Sequence, residues 1–302
     1  MHHYRVSGWT LATEISLPHL FPCSAPAGGA AADITLRQSS VPPPPAPLRL
    51  DRDGIQVGAD GRTVIDIPNC VRIGLTGGRD IIVDPAPDVS WSEIQIWLLG
   101  PGLGVICHQR GALPLHACAI RAGNGGLAIV GNSGAGKSTT ATALVQQRGH
   151  RLLGDDVLVV DPDTGLAQPC FPMVKLWDSS RSALDIGQEG QQSVGGKIGK
   201  WHMPMLAAFD PVPRPLSAIV HLRADPAARR PVLTRWPRPH AAAVLDAMTY
   251  RVYLAEALHG RRHVLSAAAR LAARVPVWEL VRTTDFADLA EMLDMLEGLV
   301  GA

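Results

Sequence analysis

A glycine-rich segment near the middle of the 302-residue chain has the residue types of a phosphate-binding loop. Its pattern, G-x-x-x-x-G-K-[ST], lets backbone N–H groups turn toward phosphate oxygens, because glycine has no Cβ in the way. The lysine neutralises the terminal phosphates, and the serine hydroxyl can bind Mg²⁺. We therefore predict that ATP and Mg²⁺ bind here. The predicted nucleotide-binding residues are Gly131, Asn132, Ser133, Gly134, Ala135, Gly136, Lys137, Ser138 and Thr139.

The sequence on either side of this loop favours a strand before it and a helix after it, as the motif requires. Leu127–Val130 is an apolar strand candidate, and Ser138–Arg148 has a helical composition that ends at Gly149. The start of that helix directs its unsatisfied N–H groups and its positive dipole end toward the same anion. The alternative, a glycine turn followed by a chance Lys-Ser pair, is disfavoured by these flanking elements.

Two adjacent carboxylates, Asp155 and Asp156, follow the loop after one helix and one short strand. Asp155 lies 18 residues after Lys137, a spacing that returns the pair to the phosphate end of the sheet. Beside a triphosphate and Mg²⁺, one carboxylate can accept a hydroxyl proton while the other, with Ser138, holds the metal. The alternative is that one of the two is only a turn residue.

A histidine and two lysines are further candidates for the site. His116 lies 15 residues before the loop, in a strand predicted to pair with the loop strand, and is either an active-site group or a core histidine. Lys197 and Lys200 belong to the glycine-rich segment Gly190–His202, predicted to be a mobile loop that closes over the transferred phosphate. A solvated surface loop is the alternative. The only other lysine besides Lys137 is Lys175, which is a weaker candidate for the site and equally fits a strand position that points to solvent.

The elements that must position these residues fall into two parts, a β-rich N-terminal domain over 1–88 and a catalytic domain over 89–302, with its core at 113–222. A helix with Ser90 as its N-cap is predicted over Trp91–Gln109. The predicted N-terminal strands are Tyr4–Ile15, Asp33–Leu36, Ile55–Val57, Thr63–Ile67, Val71–Leu75 and Asp80–Val83.

The second part alternates strands with helices, which predicts an α/β fold with a mixed sheet. Its predicted strands are Leu113–Arg121, Leu127–Val130, Leu152–Leu153, Val157–Val160, Leu166–Cys170, Ala218–Leu222 and Val275–Leu280. Its predicted helices are Ser138–Arg148, Ala241–Ala273 with an interruption near Gly260, and Phe286–Leu299. The apolar face of the last helix, with Leu293 at its centre, is expected to pack in the core.

Composition and charge exclude several classes of protein. With 46% hydrophobic and 18% charged residues, the chain is not mostly disordered. A formal net charge of +1 gives no global attraction to nucleic acid or membrane. No apolar stretch reaches the roughly 18 residues of a membrane span. Five widely spread cysteines without a C-x-x-C pair fit a reducing compartment. We therefore expect a cytoplasmic protein that binds neither nucleic acid nor membrane.

One segment departs from this even charge balance. Residues 223–274 hold ten arginines and three acids. Such a segment is typical of a solvated helix face. It could instead receive an acidic group or the C-terminal carboxylate of a peptide.

Taken in order, the motifs of residues 113–161 resemble the catalytic domain of bacterial HPr kinase/phosphorylase. The resemblance rests on Leu115-His116, on the phosphate-binding loop and on the segment R-G-H-R-L-L-G-D-D that ends at Asp156. That family places its loop on a sheet like that of phosphoenolpyruvate carboxykinase and phosphorylates a protein serine. A broader likeness is to the HPr-kinase-like proteins of peptide-modifying systems, including the lasso-peptide kinases, which phosphorylate the C-terminal serine of a precursor. This broader likeness is carried by Tyr4–Leu17, His108–Gly111 and Lys175–Trp177.

The resemblance implies a role for each acidic residue. It implies that Asp155 is the base toward the acceptor hydroxyl, that Asp156 and Ser138 lie at Mg²⁺, and that His116 belongs to the active site. Thr139 stands where the HPr enzymes usually carry glutamate, and their downstream R-G-x-G signature is not evident. These two departures speak against HPr itself as the acceptor and against the reverse phosphorolysis.

The expected function is therefore an ATP- and Mg²⁺-dependent kinase that phosphorylates a serine of a peptide or small protein, such as the C-terminal serine of a lasso precursor peptide. The β-rich N-terminal part is expected to bind this partner or to form a homo-oligomer. Two alternatives stay open, a nucleotide-dependent regulator or ATPase that phosphorylates nothing, and a kinase for a small metabolite.

Overall fold

The computed structural model describes residues 1–187, 192–194 and 197–301, and side chains are described for all of these except 192–194 and 197–198. Within the described residues, no helix combines the length and the apolar character needed to cross a bilayer.

The N-terminal part of the chain forms a twisted sheet with the strand order β3-β1-β2-β4-β9-β8-β7-β6-β5. Its strands are β1 His2–Val6, β2 Trp9–Thr13, β3 Phe21–Pro22, β4 Ile34–Gln38, β5 Leu48–Arg52, β6 Ile55–Gly58, β7 Thr63–Ile67, β8 Val71–Thr76 and β9 Asp80–Pro85. The predicted single strand Tyr4–Ile15 is wrong, because Ser7 (φ 49°) and Gly8 (φ 86°) form a tight turn that splits it into β1 and β2.

The predicted helix over 91–109 is two α-helices, α1 Trp91–Trp97 and α2 Leu103–Gln109, joined by the π-helical turn Leu98–Gly102. The Ser90 hydroxyl caps α1 by accepting a hydrogen bond from the Glu93 N–H at 3.2 Å. The apolar faces of these helices pack on the N-terminal sheet and share its hydrophobic core. The division into domains at residue 88 stays a prediction.

The rest of the chain forms a second large sheet, a small three-stranded sheet of β16, β17 and β18, and the helices that follow. The strands are β10 Leu113–Leu115, β11 Ala117–Ala122, β12 Gly125–Val130, β13 Arg151–Gly154, β14 Leu158–Val160, β15 Leu166–Gln168, β16 Met173–Trp177, β17 Gln192–Val194, β18 Lys197–Pro204, β19 Arg214–Ala224, β20 Val232–Arg235 and β21 Val277–Arg282. The helices are α3 Lys137–Arg148, α4 Asp178–Ala183, α5 Arg238–Ala247, α6 Val252–His259, α7 Arg261–Arg274 and α8 Leu289–Gly298.

The second sheet is mixed, which confirms the predicted α/β class. β12, β19 and β21 run parallel to one another, whereas β11, β13, β15 and β20 pair with their neighbours antiparallel. One face packs on α3 and α8, through residues such as Leu144 and Leu293. The other face packs on α5 and α7, through residues such as Leu245 and Leu271. The sheet is thus the middle layer between two layers of helices.

Three further predictions about these elements are wrong, each because pairing with a distant segment decides the local structure. The predicted strand Leu113–Arg121 breaks at His116 into β10 and β11, which pair with different strands. Within the predicted loop Gly190–His202, the described residues from Lys197 onward form β18, which pairs with β16. The predicted helix Ala241–Ala273 is α5, α6 and α7, with an additional break at 248–251.

The break between α5 and α6 is hydrogen-bonded to β10 and to His116, which follows that strand. The Tyr250 N–H donates to the Pro114 carbonyl, and the His116 N–H donates to the Met248 carbonyl, both at 2.8 Å. Gly100 and Gly104 leave room for the Tyr250 ring, since a Cβ at Gly104 would lie 2.6 Å from the ring atom Cε1. The helical pair α1–α2 therefore packs directly against the segment that carries Tyr250.

This close packing gives a prediction that opposes helix propensity. Alanine favours a helix over glycine by about 1 kcal/mol, yet we expect Gly104→Ala to lower the free energy of unfolding by about 1–3 kcal/mol, because the methyl group overpacks against Tyr250. As the matched control, Gly298→Ala in α8 adds a methyl group with no neighbour within 4 Å and is expected to raise stability slightly. Denaturant unfolding of both variants is the measurement, and stabilisation by Gly104→Ala would contradict the packing.

Candidate functional site

The glycine-rich loop lies between β12 and α3, in the place that its motif predicts. Gly131 has a φ of 147°, and a Cβ there would lie 2.5 Å from the Leu222 carbonyl oxygen of β19. Gly136 has a φ of 101°, and a Cβ there would lie 3.2 Å from Nε of Arg282. Both positions require glycine, because the backbone conformation and the neighbouring atoms leave no place for a side chain.

The side chain of Lys137 curls back over this loop. Its ammonium donates to the carbonyl oxygens of Gly131 at 2.8 Å and Asn132 at 3.2 Å. Burial lowers the pKa of Lys137, and the nearby carboxylates of Asp155 and Asp156 oppose that shift. These contacts hold a positive charge at the start of α3, where the backbone N–H groups of the first helical turn have no partner within the helix.

Asp155 is buried and makes a contact with each of two neighbouring elements. Its Oδ1 accepts a hydrogen bond from the Ser138 hydroxyl at 2.9 Å, and its Oδ2 accepts one from the Lys175 backbone N–H at 2.9 Å. These bonds hold the carboxylate beside the first turn of α3. Next to Ser138, the Thr139 hydroxyl shares a hydrogen bond of 2.8 Å with the Ser180 hydroxyl, which links α3 to α4.

Asp156, unlike Asp155, has a left-handed backbone conformation, with φ 77°. Its Oδ2 accepts a hydrogen bond of 2.6 Å from the Lys175 ammonium, and its Oδ1 lies 3.5 Å from Nε2 of His116. Burial opposes ionisation of Asp156, but the Lys175 ammonium outweighs it and holds the pKa of the carboxyl well below its usual range. Asp156 is therefore an ionised, oriented carboxylate.

His116 occupies the break between β10 and β11, and its ring meets the Tyr250 ring edge to face at a centroid distance of 6.0 Å. Burial lowers the pKa of His116, and the Lys137 charge lowers it further against the opposing effect of Asp156. The imidazole is therefore neutral at neutral pH. In this state one ring nitrogen donates and the other accepts.

Lys175 lies in the site, which is one of the two possibilities that its sequence context leaves open. The side chain does not point to solvent, since only 15% of it is exposed. Burial disfavours the ammonium, yet Asp156 outweighs that cost and raises the pKa of Lys175. The register of β16 on β18 places Lys175 opposite His202, a buried histidine whose Nε2 has no hydrogen-bond partner in the described residues.

Of the two lysines predicted in the glycine-rich segment, the structure describes the side chain of Lys200 only. Lys200 lines the site, with its ammonium 5.4 Å from the centre of the Trp177 ring. The side chain of Lys197 lies outside the described residues.

Arg282, which no sequence motif marks, is part of the site. It ends β21, and its Nε donates to the Ala135 carbonyl of the loop at 2.8 Å, while its Nη1 donates to the Thr283 carbonyl at 2.8 Å. Burial lowers the pKa of Arg282. The nearby residues Phe286, Leu289 and Met292 add an apolar wall. The sequence predicted their helix but assigned it only to the core.

These groups surround a cleft of about 250 Å³, here called the loop cleft. The predicted residues that line it are His116, Ser133, Gly134, Gly136, Lys137, Ser138, Thr139, Asp155, Asp156 and Lys200. A second cavity of about 370 Å³, here called the side groove, lies against it. The two cavities share His116, Ser133, Asp156, Lys175 and Lys200.

The donor atoms of the loop cleft suit a hard cation. Among the described residues, no three histidine, cysteine or acidic side chains cluster as a complete metal cage. Mg²⁺ does not require one, because it usually takes one or two carboxylates and completes its shell with phosphate oxygens and water. The Ser138 hydroxyl and the Asp155 carboxylate, 2.9 Å apart, supply oxygen donors of this kind.

Comparisons with known proteins find likenesses among solved structures. No protein-family model matches the chain, and no curated protein matches it. Among solved structures, the Hpr(Ser) kinase/phosphatase from Coxiella burnetii matches at 14% identity over 62% of this chain and 93% of that chain, with a TM-score of 0.31. The function proposed below rests on the contacts within the two cavities.

His202, the buried histidine opposite Lys175, gives a measurable pH dependence of the free energy of unfolding. Burial and the Lys175 charge lower the pKa of His202 from 6.5 to about 3. Below pH 6.5 the unfolded state therefore binds a proton that the folded state does not, and stability falls as the pH falls toward 3. One such group contributes up to about 1.4 kcal/mol per pH unit.

We expect His202→Gln to flatten the plot of unfolding free energy against pH below pH 6.5, because glutamine does not titrate. The control His2→Gln, at an exposed position of β1, should leave the slope as in the unmodified protein. Denaturant unfolding between pH 4 and 7 provides the data. Equal slopes for the unmodified protein and His202→Gln would show that His202 is not held neutral.

Proposed function

We propose that this chain is a kinase that transfers the γ-phosphoryl group of ATP, with Mg²⁺, to a serine hydroxyl of a peptide or small protein. The observation that carries the proposal is the convergence of Lys137, Ser138, Asp155 and Asp156 on one cleft. A phosphate-binding loop with two carboxylates at its edge suits phosphoryl transfer, because that reaction depends on positioning and on neutralising charge.

The loop cleft offers a place for each part of ATP. The backbone N–H groups of the loop and of the first turn of α3 would hold the phosphates, together with Lys137. Arg282, which braces the loop at Ala135, would add a second positive charge. The apolar wall of Phe286, Leu289 and Met292 would contact the flat nucleotide base.

Ser138 and Asp155 are the residues that would hold Mg²⁺. Their contact of 2.9 Å supports this pairing, and the second bond of Asp155, to the Lys175 backbone, keeps its carboxylate in place. Bound there, the ion would neutralise negative charge on the phosphates.

Asp156 would accept the proton of the acceptor hydroxyl. Among the described residues, the lining of the side groove includes Asp156 but not Asp155, so Asp156 can meet an acceptor that enters through that groove. In the transfer, a bond forms between the serine oxygen and the γ-phosphorus, the bond between the γ-phosphorus and the bridging oxygen of ADP breaks, and the hydroxyl proton passes to the Asp156 carboxylate. This assignment exchanges the roles that the family resemblance implies for Asp155 and Asp156.

The neighbours of Asp156 would support the same step. Lys175 positions the Asp156 carboxylate through their contact of 2.6 Å, and the neutral His116 lies where it can hydrogen-bond either Asp156 or the incoming hydroxyl. Lys200 lines both cavities and would stabilise negative charge on the transferred group. A corresponding role for Lys197 stays a prediction.

The side groove favours this proposal over the two alternatives. A regulator or ATPase that phosphorylates nothing has no need of a cavity of about 370 Å³ that opens on the same carboxylate. The apolar part of the lining, with Ile96, Trp97 and Pro101, suits the side chains of a peptide better than a polar metabolite. The finer form of the proposal, transfer to the C-terminal serine of a lasso precursor peptide, is supported by the sequence resemblance alone.

The proposed division between the two aspartates predicts different defects in two matched variants. Asp156→Asn should bind ATP and Mg²⁺ normally but lose transfer by about a hundredfold or more, because the proton acceptor is gone. Asp155→Asn should lose the gain in ATP affinity that Mg²⁺ provides, because the metal-binding carboxylate is gone. Lys137→Ala, which removes a phosphate contact, should weaken ATP binding with and without Mg²⁺.

Calorimetric titration with ATP measures the binding, and mass spectrometry of serine peptides incubated with protein, ATP and Mg²⁺ measures the transfer. The unmodified protein should yield phosphoserine and ADP in equal amounts. Normal transfer by Asp156→Asn would refute its role as proton acceptor. Release of free phosphate without any phosphopeptide would refute the kinase in favour of an ATPase.

A further inference from the structure

Arg251 lies at the side groove, in the break that joins α5 to α6. Its backbone is left-handed, with φ 47° and ψ 54°, a conformation that is costly for a side chain of this size and persists only where neighbouring contacts impose it. The neighbouring contacts are two backbone hydrogen bonds, one from Tyr250 to Pro114 and one from His116 to Met248. Arg251 is therefore fixed close to the segment that carries His116.

The guanidinium of Arg251 is oriented but not neutralised. Its Nη1 donates to the Tyr253 hydroxyl at 2.6 Å, and its Nε donates to the Tyr250 hydroxyl at 3.5 Å. Burial raises the pKa of Tyr250, so that phenol stays uncharged. No acidic side chain among the described residues forms an ion pair with Arg251.

Other arginines of the 223–274 segment differ from Arg251 in this respect. Arg223 pairs with Glu279, and Arg261 pairs with Asp246 and with Glu256. The charges of these two arginines are thus neutralised within the protein. Arg251 instead presents its charge in a cavity of about 370 Å³.

The charges around the side groove do not balance without an added anion. Of its described lining residues, Asp156 is the one carboxylate, and it already pairs with Lys175 at 2.6 Å. The positive charge of Arg251 has no counterpart there. The lining also includes apolar residues such as Trp97 and Pro101, which suit the aliphatic part of a peptide rather than a free inorganic ion.

We propose that Arg251 binds a carboxylate of the acceptor, close in the molecule to the serine hydroxyl that Asp156 meets. This inference rests on the proposed function and names the substrate class for the same site. A guanidinium presents a planar fork that matches a carboxylate with two parallel hydrogen bonds. Because Tyr253 holds Nη1, the fork is already oriented before the acceptor arrives.

Two sources of this carboxylate are chemically equivalent at Arg251, the C-terminal carboxylate of a peptide that ends in serine and the side chain of an aspartate next to an internal serine. Three libraries of short randomised peptides separate them. One library ends in serine with a free carboxylate, the second has the same peptides as C-terminal amides, and the third consists of amides with aspartate beside the serine.

We expect the unmodified protein to phosphorylate the free-acid library, or the aspartate library, at least about tenfold more efficiently in kcat/KM than the plain amides, because a charge-assisted bidentate contact is lost in the amides. Arg251→Gln should bring this ratio close to one through a higher KM for the acidic peptides. Arg251→Lys should restore part of the ratio. The matched control Arg262→Gln, at an exposed position of α7, should keep the full ratio.

The contrary results are distinct for each claim. Equal efficiency on all three libraries, or a preference that persists in Arg251→Gln, would overturn the role of Arg251. Phosphate on no peptide, with calorimetry still showing that ATP binds, would overturn both the acceptor class and Arg251. Failure of the unmodified protein to bind ATP would overturn the proposed function itself.

Discussion

The largely buried ion pair between Asp156 and Lys175 is the interaction on which the rest of the site depends. A lysine and an aspartate are costly to bury, and each is tolerated here because the other lies 2.6 Å away. The pair fixes β16 against the turn that follows β13, and the Lys175 backbone in the same strand holds Asp155. One strand residue therefore orients both carboxylates, through its side chain for one and its N–H for the other.

This arrangement gives two adjacent carboxylates different surroundings. Asp155 faces the start of α3 and the Ser138 hydroxyl, whereas the left-handed backbone of Asp156 turns its side chain to the junction of the two cavities. Neighbouring acids with separate environments can take separate roles, one toward the metal and phosphates and one toward a hydroxyl. The mixed sheet, packed between two helical layers, supplies the rigid edge that such a division needs.

The parts of the site that the sequence predicts are those encoded within a short stretch of chain. The loop glycines, Lys137 and the Asp155–Asp156 pair follow from spacing across one strand and one helix. The sequence predicts the element of Lys175 but leaves its environment open, because a single lysine in an apolar strand does not reveal which face is buried. Arg282 could not be found, and the charge pattern marks the 223–274 segment without singling out Arg251, since β21 and the α5–α6 break reach the site only through tertiary packing. For the same reason the sequence predicts a loop where β18 begins.

The most direct measurement is a double-mutant cycle on Asp156 and Lys175 that records both the free energy of unfolding and phosphoryl transfer. Lys175→Met should cost roughly 3–5 kcal/mol, because it leaves a buried carboxylate without its partner. The double variant with Asp156→Asn should regain most of that stability yet transfer phosphoryl groups about a hundredfold or more slowly than the unmodified protein. Additive losses of stability, or normal transfer by the double variant, would contradict the account.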